Sequence, residues 1–178
     1  MHALLSARRR AAGSFDGFEA LDACHRETLR RLADLAAVIA RLERGEPDAQ
    51  VRSLAEAIDR HFAIAMREHH EDEDRHVFPP LLARADAATR QTIACLKQDH
   101  AWLDADWHEL APLLDAAARG HAWYDLGVLR DGAETFSRLA RAHIALEESL
   151  IYPPARSAMP AAGRTSMGRE MAERRRAR

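Results

Sequence analysis

The sequence predicts an all-α protein, an up-down-up-down antiparallel four-helix bundle. Three observations predict it. Apolar residues recur at spacings of three and four over four long segments, no stretch alternates as a strand does, and glycine and proline fall between the segments. A chain of 178 residues suits one domain with a full-sized core.

Segment A, about 16–44, carries Phe18, Leu21, Leu29, Leu32, Leu35, Ile39 and Leu42 on one face. Gly45 and Pro47 divide it from segment B, about 48–77, whose stripe is Val51, Leu54, Ile58, Phe62 and Ala65. Pro79-Pro80 should end or kink segment B, because proline lacks the N–H that a helix interior needs. Segment C, about 88–118, shows Ile93, Leu96, Leu103, Trp107, Leu110 and Leu114. Gly120 separates it from segment D, about 122–151, with Leu126, Leu129, Phe136, Leu139 and Leu150. Pro153-Pro154 closes segment D. Short connections between helices of similar length give the up-down-up-down order. Residues 1–15 read as an N-terminal extension and 16–154 as the bundle. Residues 155–178 read as a basic, flexible C-terminal tail, with six arginines against two glutamates from Met159 onward.

The bulk properties exclude several classes. A net charge of −2 supplies no nucleic-acid-binding field. No run reaches the roughly 18 apolar residues of a membrane span, and the N-terminus has no signal-peptide core. Cys24 and Cys95 read as buried free thiols in a reducing compartment, and the expected location is cytoplasmic.

One pattern in the sequence asks for more than a packed core. His69-His70-x-x-Glu73-x-x-x-x-Phe78-Pro79-Pro80 is echoed by His143-x-x-x-Glu147-x-x-x-x-Tyr152-Pro153-Pro154 at an offset of 74 residues. His25 and His100 repeat at an offset of 75. All four histidines extend the apolar stripes. At about 1.5 Å per residue they converge at roughly 11–18 Å up the bundle. Glu73 and Glu147 lie about 40° from their histidines, on the same faces. A carboxylate in a bundle core is costly unless it is paired or bound to metal.

Four imidazoles and two carboxylates without thiolate suit iron, manganese or zinc, and six protein ligands suit two ions. Two six-coordinate ions have about twelve positions. The histidines, two bridging carboxylates and a solvent-derived bridge fill about ten of these, leaving about two for a small exogenous ligand. The candidate metal ligands are therefore His25, His69, Glu73, His100, His143 and Glu147. No catalytic acid or base is evident. His70, about 100° from His69, reads as a surface or outer residue. His61, His76 and His108 have no assigned role. Trp102, Trp107 and Phe62 read as core packing. Asp22 is a possible acceptor for His25 but more simply an exposed carboxylate. Glu71, Asp72, Asp74 and Arg75 read as a solvated face. Cys24 reads as a small packed residue.

These segments resemble the two signature segments of the hemerythrin family, in its bacterial branch named for the His-His-Glu cation-binding motif. The resemblance covers about 16–154 and includes the isolated His25 and His100. It implies a non-haem di-iron centre with an oxo or hydroxo bridge, manganese or zinc being chemically possible. Its partners would be a diatomic ligand or peroxide, with a part in sensing, iron handling or oxidative and nitrosative stress. Oxygen-carrying hemerythrins have a fifth histidine on the third helix, where this chain has Asp104. That departure favours a four-histidine, two-glutamate ligand-binding protein over a simple oxygen carrier. A di-iron enzyme with peroxidase, nitric oxide-reducing or iron-cluster repair activity is the alternative. Oxygen carriers also place the last carboxylate five after its histidine, which would select Glu148. The spacing of the first half selects Glu147.

Overall fold

The computed structural model describes residues 16–45, 47–121 and 123–177, and all its regular structure is helical. The proposed extension 1–15 lies outside the described residues. Helix α1 is Gly17–Glu43. The second long segment runs unbroken as α2 (Ala49–Arg60), α3 (Met66–Asp72) and α4 (Phe78–Leu82), joined by single π turns at His61–Ala65 and Glu73–Val77. Helix α5 is Ala87–Ala118. The last long segment is α6 (Leu126–Leu146), a π turn at Glu147–Ile151, and α7 (Tyr152–Ala158). Helix α8, Ala161–Arg176, ends the described chain.

All four long segments begin with an aspartate cap. Asp16, Asp48, Asp86 and Asp125 accept from backbone N–H groups of the first turn at 2.7–3.1 Å, satisfying donors that have no partner within the helix. Gly45 and Gly120 take φ of 75° and 74°, the left-handed conformation that reverses the chain after α1 and α5. Helix α1 packs on α2 and α6, and α5 packs on the same two. No helix among the described residues is long and apolar enough to cross a membrane.

The prolines do not end their helices. Pro79 and Pro153 have no N–H to donate, so each helix widens just before them. The Phe78 N–H bonds to the Glu73 carbonyl, and the Tyr152 N–H to the Glu147 carbonyl, one residue further back than in an α-helix. Each π turn inserts one residue into the helical period and rotates everything after it. Met66 is therefore buried in place of Ala65, and Ile151 in place of the expected Leu150, which is 54% exposed. Helix α5 has no π turn, and its whole predicted stripe from Ile93 to Leu114 is buried.

The C-terminal segment is likewise not a flexible tail. Met167 and Met171 are buried against a cluster that includes Phe18, Leu21 and Phe78, and α8 packs along α1. Hydrophobic spacing too sparse to mark a helix is enough once a bundle surface is available to cover. Trp102 is exposed, not core, while Phe62 and Trp107 pack together. Both cysteines are free, but Cys95 is exposed. Two apolar clusters result. One holds Leu32–Leu42, Val51–Met66, Leu103–Ala118 and Leu129–Ala140; the other surrounds Phe18, Phe78, Leu96 and Ile151. Every long segment passes from one cluster to the other through a short polar stretch.

Candidate metal centre

That polar stretch forms a buried layer of His25, His69, His70, Glu73, His100, His143 and Glu147, each at most 8% exposed. The carboxylates of Glu73 and Glu147 are fully buried. Among the described residues, neither pairs with a lysine or arginine. Their neighbours are imidazoles and one phenol. His25 Nε2 is 3.2 Å from Glu147 Oε2, His69 Nε2 is 3.5 Å from Glu73 Oε1, and His143 Nε2 is 3.2 Å from Glu147 Oε1. His100 Nε2 faces both carboxylates, at 3.4 Å from Glu73 and 3.7 Å from Glu147. His25 and His69 bring their Nε2 atoms to 3.0 Å.

The six residues proposed from the sequence are thus brought together. They form two overlapping groups, His25, His69, Glu73, Glu147 and Glu73, His100, His143, Glu147, with both glutamates common to both. Within each group the ligand atoms lie within 4.8 Å of one another.

An outer partner orients one ring: His25 Nδ1 lies 3.1 Å from Glu148 Oε1. His143 Nδ1 stands 3.6 Å from Asp99 Oδ2, beyond hydrogen-bond reach. A proton on His25 Nδ1, inferred from the Glu148 acceptor, turns its Nε2 lone pair inward towards carboxylate lone pairs. Acceptors then face acceptors. Among the described residues, the Nε2 atoms of His100 and His143, both Glu147 oxygens and Glu73 Oε2 find no hydrogen-bond partner. Buried polar atoms rarely stay unsatisfied, and a cation among these lone pairs resolves the arrangement. The donor set fits a metal site.

Protons compete for the same lone pairs. Burial opposes charge on His100, but its contacts with Glu147 and Glu73 outweigh that and lift it to about 9. Burial, reinforced by the Glu147 charge, pushes Glu73 up to about 7. Burial opposes ionisation of Glu147 too, yet the surrounding imidazoles hold it well below the usual carboxylate range. His69 is kept neutral by burial and by the imidazoles around it.

Several residues differ from their sequence reading. His70 is buried within the layer, not at the surface, because the π turn at His61–Ala65 has rotated it inward. Asp72 is not solvated; it is fully buried and holds Arg174 and Arg175 of α8. Asp22 pairs with Arg156, and Glu148 is the residue that meets His25. Asp104 is exposed and pairs with Arg67 at 3.2 Å. His61 is buried against the Thr28 hydroxyl at 2.8 Å, and His76 meets Glu170 of α8. Cys24 packs beside Ala65, and burial raises its thiol to about 12, which makes it inert.

Tyr152 was visible only as part of the repeat. Its hydroxyl donates to Glu73 Oε1 at 2.6 Å and lies 3.2 Å from His25 Nε2, with its ring stacked on that histidine at 5.2 Å and 6°. Phe78 takes the matching place on His100, at 5.8 Å and 22°. The aromatic before each Pro-Pro therefore covers the lone histidine of one half. Its position five after the glutamate is the sequence signal for that role.

The family model described as the hemerythrin HHE cation binding domain matches residues 16–155. The chain belongs to the hemerythrin HHE cation-binding family. A relative from Haemophilus influenzae (strain Rd), itself an uncharacterized protein, is 30% identical to this hemerythrin-like chain over 158 residues, 88% of each. The buried histidine and glutamate layer lies wholly within the matched residues, so metal binding is the property that family and geometry share.

Proposed function

We propose that this protein is a non-haem di-iron protein that binds a small exogenous ligand, oxygen, nitric oxide or peroxide, in sensing, iron handling or the response to oxidative and nitrosative stress. The observation that carries the reading is the sharing of Glu73 and Glu147 between two histidine groups, the arrangement that two bridged ions require. His25 and His69 would hold one ion, and His100 and His143 the other. We read the four long segments as the up-down-up-down bundle, a reading supported by their sequential packing and short connections.

When bound, the iron pair supplies open coordination positions and redox chemistry. The chain's own residues do the rest. Glu148 orients the His25 imidazole through Nδ1. The two apolar clusters exclude water above and below the layer. A surface cavity between α3 and α5, rimmed by Arg67, Lys97 and Asp104, is lined by His70 and His100. A soluble, cytoplasmic setting agrees with the charge pattern and cysteine use.

Turnover is the second reading, and Tyr152 is what favours it. Its buried phenol, kept protonated mainly by burial, points a proton at the centre. The test is iron content and the optical spectrum of the full chain, before and after oxygen. About two irons per chain, with charge-transfer bands, is the expected result. No iron above background would overturn the proposal. Sustained consumption of hydrogen peroxide or nitric oxide, lost in Tyr152→Phe, would move it to the enzymatic reading.

A further inference from the structure

Helix α3 brings two adjacent histidines to the centre, and the six-ligand set uses only one. His70 is 7% exposed, and its Nε2 finds no hydrogen-bond partner among the described residues. Its ring lies parallel to that of His100, with centroids 3.9 Å apart and 5° between planes, and 5.5 Å from His143. The ligand atoms of His70, His100 and His143 lie within 4.8 Å of one another. We propose that His70 is a seventh protein ligand, joining His100 and His143 on one ion while His25 and His69 hold the other. The inference rests on the two-metal reading above.

The helical geometry agrees with this division. Taking His69 as zero, Glu73 stands at about 40° and His70 at about 100°. The glutamate therefore falls between the two imidazoles. That order suits a bridging carboxylate with one histidine on each side of it. An arc of about 100° is no wider than the buried face of an ordinary bundle helix. The π turn at His61–Ala65 aims this arc at the core, as the burial of Met66 in place of Ala65 shows.

The second half of the chain does not repeat the device. The position matching His70 is Ile144, buried at 4%. Asp104 is exposed and ion-paired with Arg67. The centre is thus lopsided, with three histidines on one ion and two on the other. With five histidines, two bridging carboxylates and a solvent bridge, about one position of twelve stays open, on the ion held by His25 and His69. Tyr152 lies on that side, at 3.2 Å from His25 Nε2.

The test uses the full-length, iron-loaded protein. Pulsed electron paramagnetic resonance of its mixed-valence form reads the number of coordinating imidazole nitrogens without any substitution; five is expected, and four would overturn the inference. His70→Ala should alter the Mössbauer signal of one iron subsite only and speed loss of iron to a chelator by about ten-fold or more. Free imidazole, entering the vacated space, should restore the wild-type signal. If His70→Ala does not fold, His70→Gln, which keeps more of the volume, serves for the same measurements. An unchanged signal and unchanged iron retention in the His70 variant, alongside iron loss in His69→Ala, would overturn the role of His70 and leave the centre standing. Full iron retention in both His69→Ala and Glu73→Ala would instead overturn the two-metal reading itself.

Discussion

Glu147 and Glu148 are adjacent in sequence and opposite in situation. Glu147 is fully buried among three imidazoles, while the Glu148 side chain is half exposed and meets the outer nitrogen of His25. Removing an inward carboxylate takes a donor from both proposed ions. Removing an outer one only loosens a ring. Glu147→Gln should therefore abolish stable iron loading, whereas Glu148→Gln should keep both irons with affinity lowered by about 10–100-fold. Metal analysis after chelator challenge separates the two, and equal losses would show that burial does not distinguish them. At this scale the choice of histidines and glutamates was legible from repeat and spacing. His70 and Asp72 were not, because a π turn breaks the helical period ahead of His70 and the C-terminal helix covers Asp72.

The elements reveal where those assumptions fail. The three π turns shift the inward face by one residue each, and two of them begin at the glutamates. Proline explains the two at Glu73 and Glu147 from sequence; nothing in the sequence marks the one at His61. Helix α8 is the other element that local pattern missed. Its Arg174 and Arg175 clasp the buried Asp72, next to Glu73, and its methionines cover one apolar cluster. Replacing both arginines by alanine strands a desolvated carboxylate, which should cost about 3 kcal/mol of stability. Adding Asp72→Asn to that variant should recover much of the loss. Chemical denaturation of the three proteins measures both steps, and a double variant as stable as wild type would mean the clasp contributes nothing.

The whole molecule is two apolar clusters separated by a layer of lone pairs facing one another. Such a layer is a liability in the protein alone and a source of stability once a cation fills it. Iron removal should lower the thermal midpoint, and iron at about 100 times its dissociation constant should restore about 2.7 kcal/mol for each ion bound. Calorimetry with and without iron checks this. Coincident midpoints would mean that the layer is stable as it stands. The sequence by itself determined the helical class, the four long segments, and which histidines and glutamates share a level, because each depends only on local chemistry and a fixed helical period. The tertiary structure decided what lies beside what. It turned His70 inward through a π turn, paired Asp72 with the two arginines of α8, and set Tyr152 over His25. Each of these depends on contacts between segments far apart in the chain, and no local pattern encodes such contacts.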